Sequence, residues 1–372
     1  MALSVAPEAG HRVSGDPEPV AVVGAGGEGL ALAAHLSAAG HAVTICTRDP
    51  RRVAGIVARR RIRVSGELDG EFPVVEVDPV PASALRGCRL VFVATVTTAY
   101  PAVAARLAPV LTESHVVVLF SGKLCGSAEF ARALADAGAP GVDVVETDAL
   151  FAARPDGEDG VRVHGRKRWN LFAGLTLTAA RRHEDLLRGL FPGIEPAQHL
   201  IERGLVDFGA VAHAPIALVN LARIDGGERL LLYRDGMSER TVVLLERIGQ
   251  EFVDVGEAYE AKVPALHELL DLYYGCPAAG TVLEAMRTVK AYADITAPTS
   301  LDHRMLQEDV SCTLVPMIEL AQRVGVKTPV AEAVVTFASV LAGRDYRSEG
   351  RTLARLGWHG LSGAEILDRL RA

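Results

Sequence analysis

The chain has 372 residues, 49% of them hydrophobic, and a formal net charge of −7. That length exceeds one ordinary core and predicts two domains of roughly 150 to 200 residues; no apolar run reaches the roughly 18 uninterrupted residues of a membrane helix. The acidic balance argues against a nucleic-acid partner, and Cys46, Cys88, Cys125, Cys276 and Cys312, scattered without a C-x-x-C pair, give no reason to expect a metal site or a disulfide framework.

Residues 1–18 have no basic segment followed by an apolar one, so they read as a disordered tail rather than a secretion signal, and a cytoplasmic location follows. From residue 19 the stretch "VAVVGAGGEGLALAAHLSAAGHAVTICTRDP" reads as strand, turn, helix, strand. Its glycines sit where a dinucleotide site needs them: Gly24 for the tight turn, Gly26 and Gly27 where the backbone meets a pyrophosphate, Gly29 for helix against strand. The helix N-terminus then offers free N–H groups to the phosphates. At the end of the second strand, where an NAD-preferring fold normally places an acid, stand Thr47 and Arg48, followed by Arg51 and Arg52. This predicts NADPH in preference to NADH and gives the local basic run a purpose. Asp49 before Pro50 is expected to cap the next helix.

Further along, "IRVSGELDGEFPVVEVDPV" predicts an inserted hairpin with turns at Gly66 and at Asp69-Gly70. "RLVFVATVT" and "HVVVLFSG" are short buried strands, each followed by a helical pattern, and "VDVVETDALFAARPD" and "VRVHGRKRWNLFAGLT" are expected to add edge strands. The alternation gives an α/β Rossmann-type doubly wound parallel sheet over residues 19–195. In "SGKLCG", Gly122 and Gly126 are either nicotinamide-pocket residues or plain turn glycines. Over 196–372 only helical patterns follow, so the second domain is all-α. His213 lies within the apolar "DFGAVAHAPIALVN", where it is either a satisfied core histidine or the proton-handling group of a dry pocket wall. On a continuous helix Arg304 and Glu308 are i,i+4 neighbours, whereas Asp309 points about 140° away from Arg304, so spacing alone favours an Arg304–Glu308 ion pair and leaves His303 solvated.

"AHAPIALVNLARID", "LLYRDG", "APTSLDHRMLQEDVSCTLVPMIELAQRVGVKTPV" and "RTLARLGWHGLSGAEI" resemble the octopine/nopaline (opine) dehydrogenase family, from about residue 19 to the C-terminus. The resemblance implies an NAD(P)H-dependent enzyme that condenses an amino acid with a 2-oxo acid and reduces the imine to a secondary amine, an opine. It places the catalytic histidine on His213, its orienting acid on Asp309 and the substrate-carboxylate arginine on Arg304. Met305 and Ser311-Cys312-Thr313 depart from the family's pattern and would reshape the pocket. The partners implied are small molecules, with neither nucleic acid nor membrane, and a homodimer is left open. Two other readings stay open: a ketopantoate-reductase-like 2-oxo acid reductase, which uses a lysine acid that Lys262, Lys290 and Lys327 do not match in context, and a non-catalytic dinucleotide sensor.

Overall fold

The computed structural model describes residues 17–139, 141–276 and 281–372, so most of the expected tail, residues 1–16, lies outside the described residues. Twelve strands form among them: β1 (Pro19–Val23), β2 (Ala42–Cys46), β3 (Arg61–Gly66), β4 (Gly70–Pro73), β5 (Glu76–Asp78), β6 (Leu90–Val93), β7 (Val116–Phe120), β8 (Asp143–Thr147), β9 (Phe151–Pro155), β10 (Gly160–Arg166), β11 (Asn170–Gly174) and β12 (Ile194–Pro196). Eight build the main sheet in the order β12-β11-β8-β7-β6-β1-β2-β5, parallel throughout except where β11 meets β8. The strand residues alternate between two cores. Val20, Val22, Phe92 and Val118 face one side, Ala21, Val23, Val93 and Val117 the other, and both sides are covered. A sheet buried on both faces favours apolar residues on both, which is why the central strands "LVFV" and "VVVLF" show no polar alternation.

The hairpin forms as expected, with β3 and β4 antiparallel and left-handed glycines at Gly66 and Gly70. Two expectations about the later strands need correction. β8 and β11 are interior strands of the main sheet, whose edges are β12 and β5, while β9 and β10 leave it to join the hairpin in a separate sheet ordered β4-β3-β10-β9, where β9 is an edge strand. Helix α1 (Gly27–Ala38) lies between the two sheets, and Gly29 through Ala34 are all buried. That explains its alanine-rich, non-amphipathic composition: both of its faces touch protein.

After β12 the chain is helical among the described residues, apart from one isolated bridge between Leu231 and Thr296. Its core contains the helix Phe208–Val219 and the long helix Glu239–Ala258. The two halves are joined by buried ions. Arg203, with no side-chain exposure, meets Glu146 at 3.0 Å. Arg351, equally buried, bonds Glu129 at 2.8 Å and donates to the carbonyls of Gly122 (2.9 Å), Leu124 (3.1 Å) and Cys312 (3.3 Å).

Arg351→Met should cost about 3 to 5 kcal/mol, because it leaves Glu129 ionised, buried and alone. Urea unfolding monitored by circular dichroism measures this, and an unchanged midpoint would show that the two halves do not depend on the pair.

Candidate active site

A cleft of about 1100 Å³ opens over the C-terminal ends of β1, β2, β6 and β7 and runs between the two halves. This is the crevice in which ligands of open α/β sheets sit. Its floor is the glycine loop. Gly24 has φ +123°, and a Cβ on it would stand 2.3 Å from the Ala94 carbonyl oxygen. Gly29 approaches the Gly24 carbonyl as closely, and Gly27 packs on the Ala153 carbonyl of β9. Gly26 caps α1 with no side-chain hydrogen bond, and nothing lies within 4 Å of where its Cβ would be. A bare α-carbon facing open space, beside N–H groups that no side chain satisfies, fits a dinucleotide pyrophosphate. Thr47 and the exposed Arg48 line the same end of the cleft, with Arg52 and Arg106 beside them. Asp49 also borders it, but its carboxylate caps Arg51 N and is held by the Arg51 guanidinium at 2.7 Å.

The other end belongs to the helical half. Asp207 caps the histidine helix by accepting from Ala210 N at 3.2 Å, and places His213 in the second turn, facing the cleft. His213 Nδ1 is 2.8 Å from Asp309 Oδ2 across 96 residues of sequence. The imidazole is 21% exposed, and its Nε2 has no hydrogen-bond partner among the described residues. Arg304 opens the helix Arg304–Asp309 at the cleft wall, and among the described residues no carboxylate lies within 4.0 Å of its guanidinium. The i,i+4 ion pair with Glu308 therefore does not form. Glu308 turns inward, its Oε1 finds no hydrogen-bond partner among the described residues, and burial pushes its carboxyl up. His303 is half-buried rather than solvated, and its ring accepts from Met305 N as the helix cap. Past Asp309 the helix widens into a π-turn, Val310–Leu314, a local insertion often found where a helix must present a functional side chain.

One residue of this site was not anticipated. Lys123, 9% exposed, sets its Nζ 2.7 Å from Asp309 Oδ1 and 3.0 Å from Asp207 Oδ2. Burial works against its ammonium, but Asp207 and then Asp309 hold it well above the ordinary lysine range. Burial likewise pushes Asp309 up, and Lys123 followed by His213 outweighs that and leaves it below the usual carboxylate range. The stretch "SGKLCG" was read for its glycines, and those turn out to pack elsewhere. Gly122 lies against the Glu146 side chain and Gly126 against Tyr100 and Arg351, so neither lines the cleft. The signal that could have found Lys123 is a lysine directly after the C-terminal end of a buried parallel strand.

Residues 196–342 match the family described as NAD/NADP octopine/nopaline dehydrogenase, alpha-helical domain, and residues 20–137 match ketopantoate reductase PanE/ApbA. An opine dehydrogenase from Arthrobacter sp. (strain 1C) is 31% identical over 348 residues, covering 93% of this chain and 97% of that protein. The chain belongs to the opine dehydrogenase family. It is therefore an NAD(P)-dependent oxidoreductase of the class that acts on CH–NH bonds. Among solved structures, octopine dehydrogenase with NADH and L-arginine superposes with a TM-score of 0.75 at 20% identity, covering 94% of this chain and 98% of that one. NADP+-bound yersinopine dehydrogenase gives 0.67 at 16% identity, covering 95% and 99%. At those identities the likeness establishes the fold.

Inside the cleft Glu28 accepts from Phe151 N at 3.3 Å, and its carboxyl is raised to about 7, mainly by burial, against the opposing pull of the Phe151 N–H and Arg304. The folded protein thus keeps a proton between pH 4.5 and 7 that the unfolded chain has released, and stability falls as pH rises through that window. Glu28→Gln should flatten this loss by about 2 kcal/mol, discounted for the part of the carboxyl open to the cleft. Denaturant unfolding at pH 5 and pH 8 checks it; identical pH dependence in both proteins would contradict the assignment.

Proposed function

We propose that this enzyme carries out the reductive condensation of an amino acid with a 2-oxo acid through an imine, with NADPH preferred over NADH. The observation that carries the reading is the His213–Asp309 pair sharing a cleft with Arg304, with neither His213 Nε2 nor the Arg304 guanidinium partnered among the described residues. Condensation joins the amine nitrogen to the ketone carbon and expels one water. Reduction then adds a hydride to that carbon, and the sum consumes one proton. The glycine loop and α1 would hold the dinucleotide, which when bound supplies the hydride.

His213 Nε2 would take the proton from the substrate ammonium, freeing the nitrogen to attack, and would return a proton to the departing hydroxyl. Histidine suits both directions because its ordinary pKa of about 6.5 is close to working pH. Asp309 would fix the tautomer and steady the imidazolium. Arg304 would clamp the 2-oxo acid carboxylate with its planar fork and orient the carbon that is reduced. A carboxylate substrate suits a cleft wall on which the Arg304 guanidinium has no carboxylate partner among the described residues. At the opposite end Thr47, Arg48 and Arg52, with Asp49 already committed to Arg51, support recognition of a 2'-phosphate.

The ketopantoate-type alternative needs a lysine acid. Lys262, Lys290 and Lys327 are exposed and outside the cleft, Lys123 is held by two carboxylates, and Lys167, which lines the cleft, is paired with Asp148. Incubating the protein with NADPH and a matrix of 2-oxo acids and amino acids should give condensed, reduced adducts by mass spectrometry. NADPH oxidation by a 2-oxo acid alone, yielding the hydroxy acid, would support the direct reductase instead.

His213→Ala should lower turnover by about 10² to 10⁴, the usual scale of general acid–base catalysis, with coenzyme affinity retained. Arg304→Lys should raise KM for the 2-oxo acid, because an ammonium lacks the fork. Arg48→Ala should cut kcat/KM for NADPH about tenfold or more, from the loss of a charged contact worth roughly 1.5 to 3 kcal/mol, and change that for NADH little. Equal losses with both coenzymes would remove Arg48 from 2'-phosphate recognition.

A further inference from the structure

Lys123 carries a buried charge that the proton transfers above do not use. Its single ammonium touches both Asp207 and Asp309, and each of these carboxylates commits its other oxygen to the histidine helix. Asp207 Oδ1 caps that helix at Ala210 N, and Asp309 Oδ2 holds the imidazole of His213. The backbone is set for the task. Ser121, Lys123 and Cys125 all occupy left-handed conformations, with φ of +89°, +56° and +62°, in a loop pinned by Arg351 at Gly122 and Leu124 and by Arg203 at the Lys123 carbonyl. Non-glycine residues persist in that region only where surrounding contacts over-determine them.

The charge balance gives this placement a consequence. With Asp207, Asp309 and Lys123 ionised, one surplus negative charge faces His213; without the ammonium there would be two. Each nearby negative charge favours the imidazolium. The other ionisable groups around the ring are Tyr233, 6.0 Å away between centroids, His303 and Arg304 at the head of the opposing helix, and Glu308 beside Asp309; Asp148 lies in the field of Lys123. None of these cations has an ion-pair contact with Asp309, which Lys123 has.

We propose that Lys123 is a positioning residue that sets the protonation of His213: it fixes Asp309 against Nδ1 and cancels one of the two carboxylate charges, so that the imidazole stays available to accept a proton near neutral pH. The inference rests on the acid–base role proposed for His213, but its primary test needs no turnover.

The full-length protein with ¹³C-labelled histidine is titrated by NMR, the His213 resonance being the one missing from His213→Gln. In Lys123→Met the midpoint of that resonance should rise by about one pH unit or more, and in Lys123→Arg it should move by less than about half a unit. In Lys123→Met/Asp207→Asn, whose buried charge sum equals that of the wild type, it should return to within about half a unit of the wild type. The acidic limb of kcat/KM should follow the same order. An unmoved midpoint in Lys123→Met, with only a loss of stability, would make Lys123 a purely structural tie and overturn the proposal. Should the single variant not fold, the charge-balanced pair decides: failure to fold, or a midpoint displaced by more than about one unit, rejects it. If the titrations behave as expected but no opine forms with any substrate pair, the reaction assignment fails and the electrostatic role stands.

Discussion

The site depends on a guanidinium that does not line the cleft. Arg351 lies near the C-terminus, yet it donates to carbonyls on both sides of the active centre: Gly122 and Leu124 flank Lys123, and Cys312 follows Asp309 in the π-turn. One nitrogen, Nη1, therefore ties the loop of the sheet half to the helix of the helical half. A charge taken out of water this completely is offset in part by Glu129 at Nε and by three carbonyls that share Nη1, while Nη2 has no hydrogen-bond partner among the described residues.

The parts of the molecule that could be read from the sequence are those governed by local chemistry. The glycine loop, the Asp49-Pro50 cap, the hairpin turns at Gly66 and Gly70 and the run of helices after β12 follow from backbone sterics and apolar periodicity. The parts that could not are set by pairing over distance. No feature of "VDVVET" says that β8 will lie beside β7 instead of at an edge: its Glu146 and Thr147 suit an exposed strand, and they are buried because Glu146 meets Arg203, 57 residues further along the chain. Spacing favoured Glu308 over Asp309 as the polar partner near Arg304, and it misled because burial decided the matter: Asp309 reaches His213 and Lys123 from another layer of the fold. Lys123 went unseen for the same reason, its partners lying 84 and 186 residues away in the chain.

The cleft is chemically divided along its length. Arginines gather at the end of β2, bare backbone lies over the start of α1, and the far end is walled by stacked tyrosines, with Tyr233 and Tyr292 only 4.1 Å apart between ring centroids. Polar recognition is thus delegated to a few groups set in an otherwise apolar wall, the arrangement in which hydrogen bonds and charges act most strongly. Met305 and the Ser311-Cys312-Thr313 turn belong to that wall or to its support, and they are where this chain departs from the family's pattern.

The position of α1 between two sheets has a thermodynamic meaning for whatever it binds. A helix covered on one side can rock; one held by β1 and β2 beneath and by β9 and β10 above has no such mode. Its first N–H groups point into the cleft before any ligand arrives, so the entropy of ordering those donors was lost when the chain folded and is not charged again to association. Adaptation to a ligand is left to the opposite wall, where the helical half meets the sheet half.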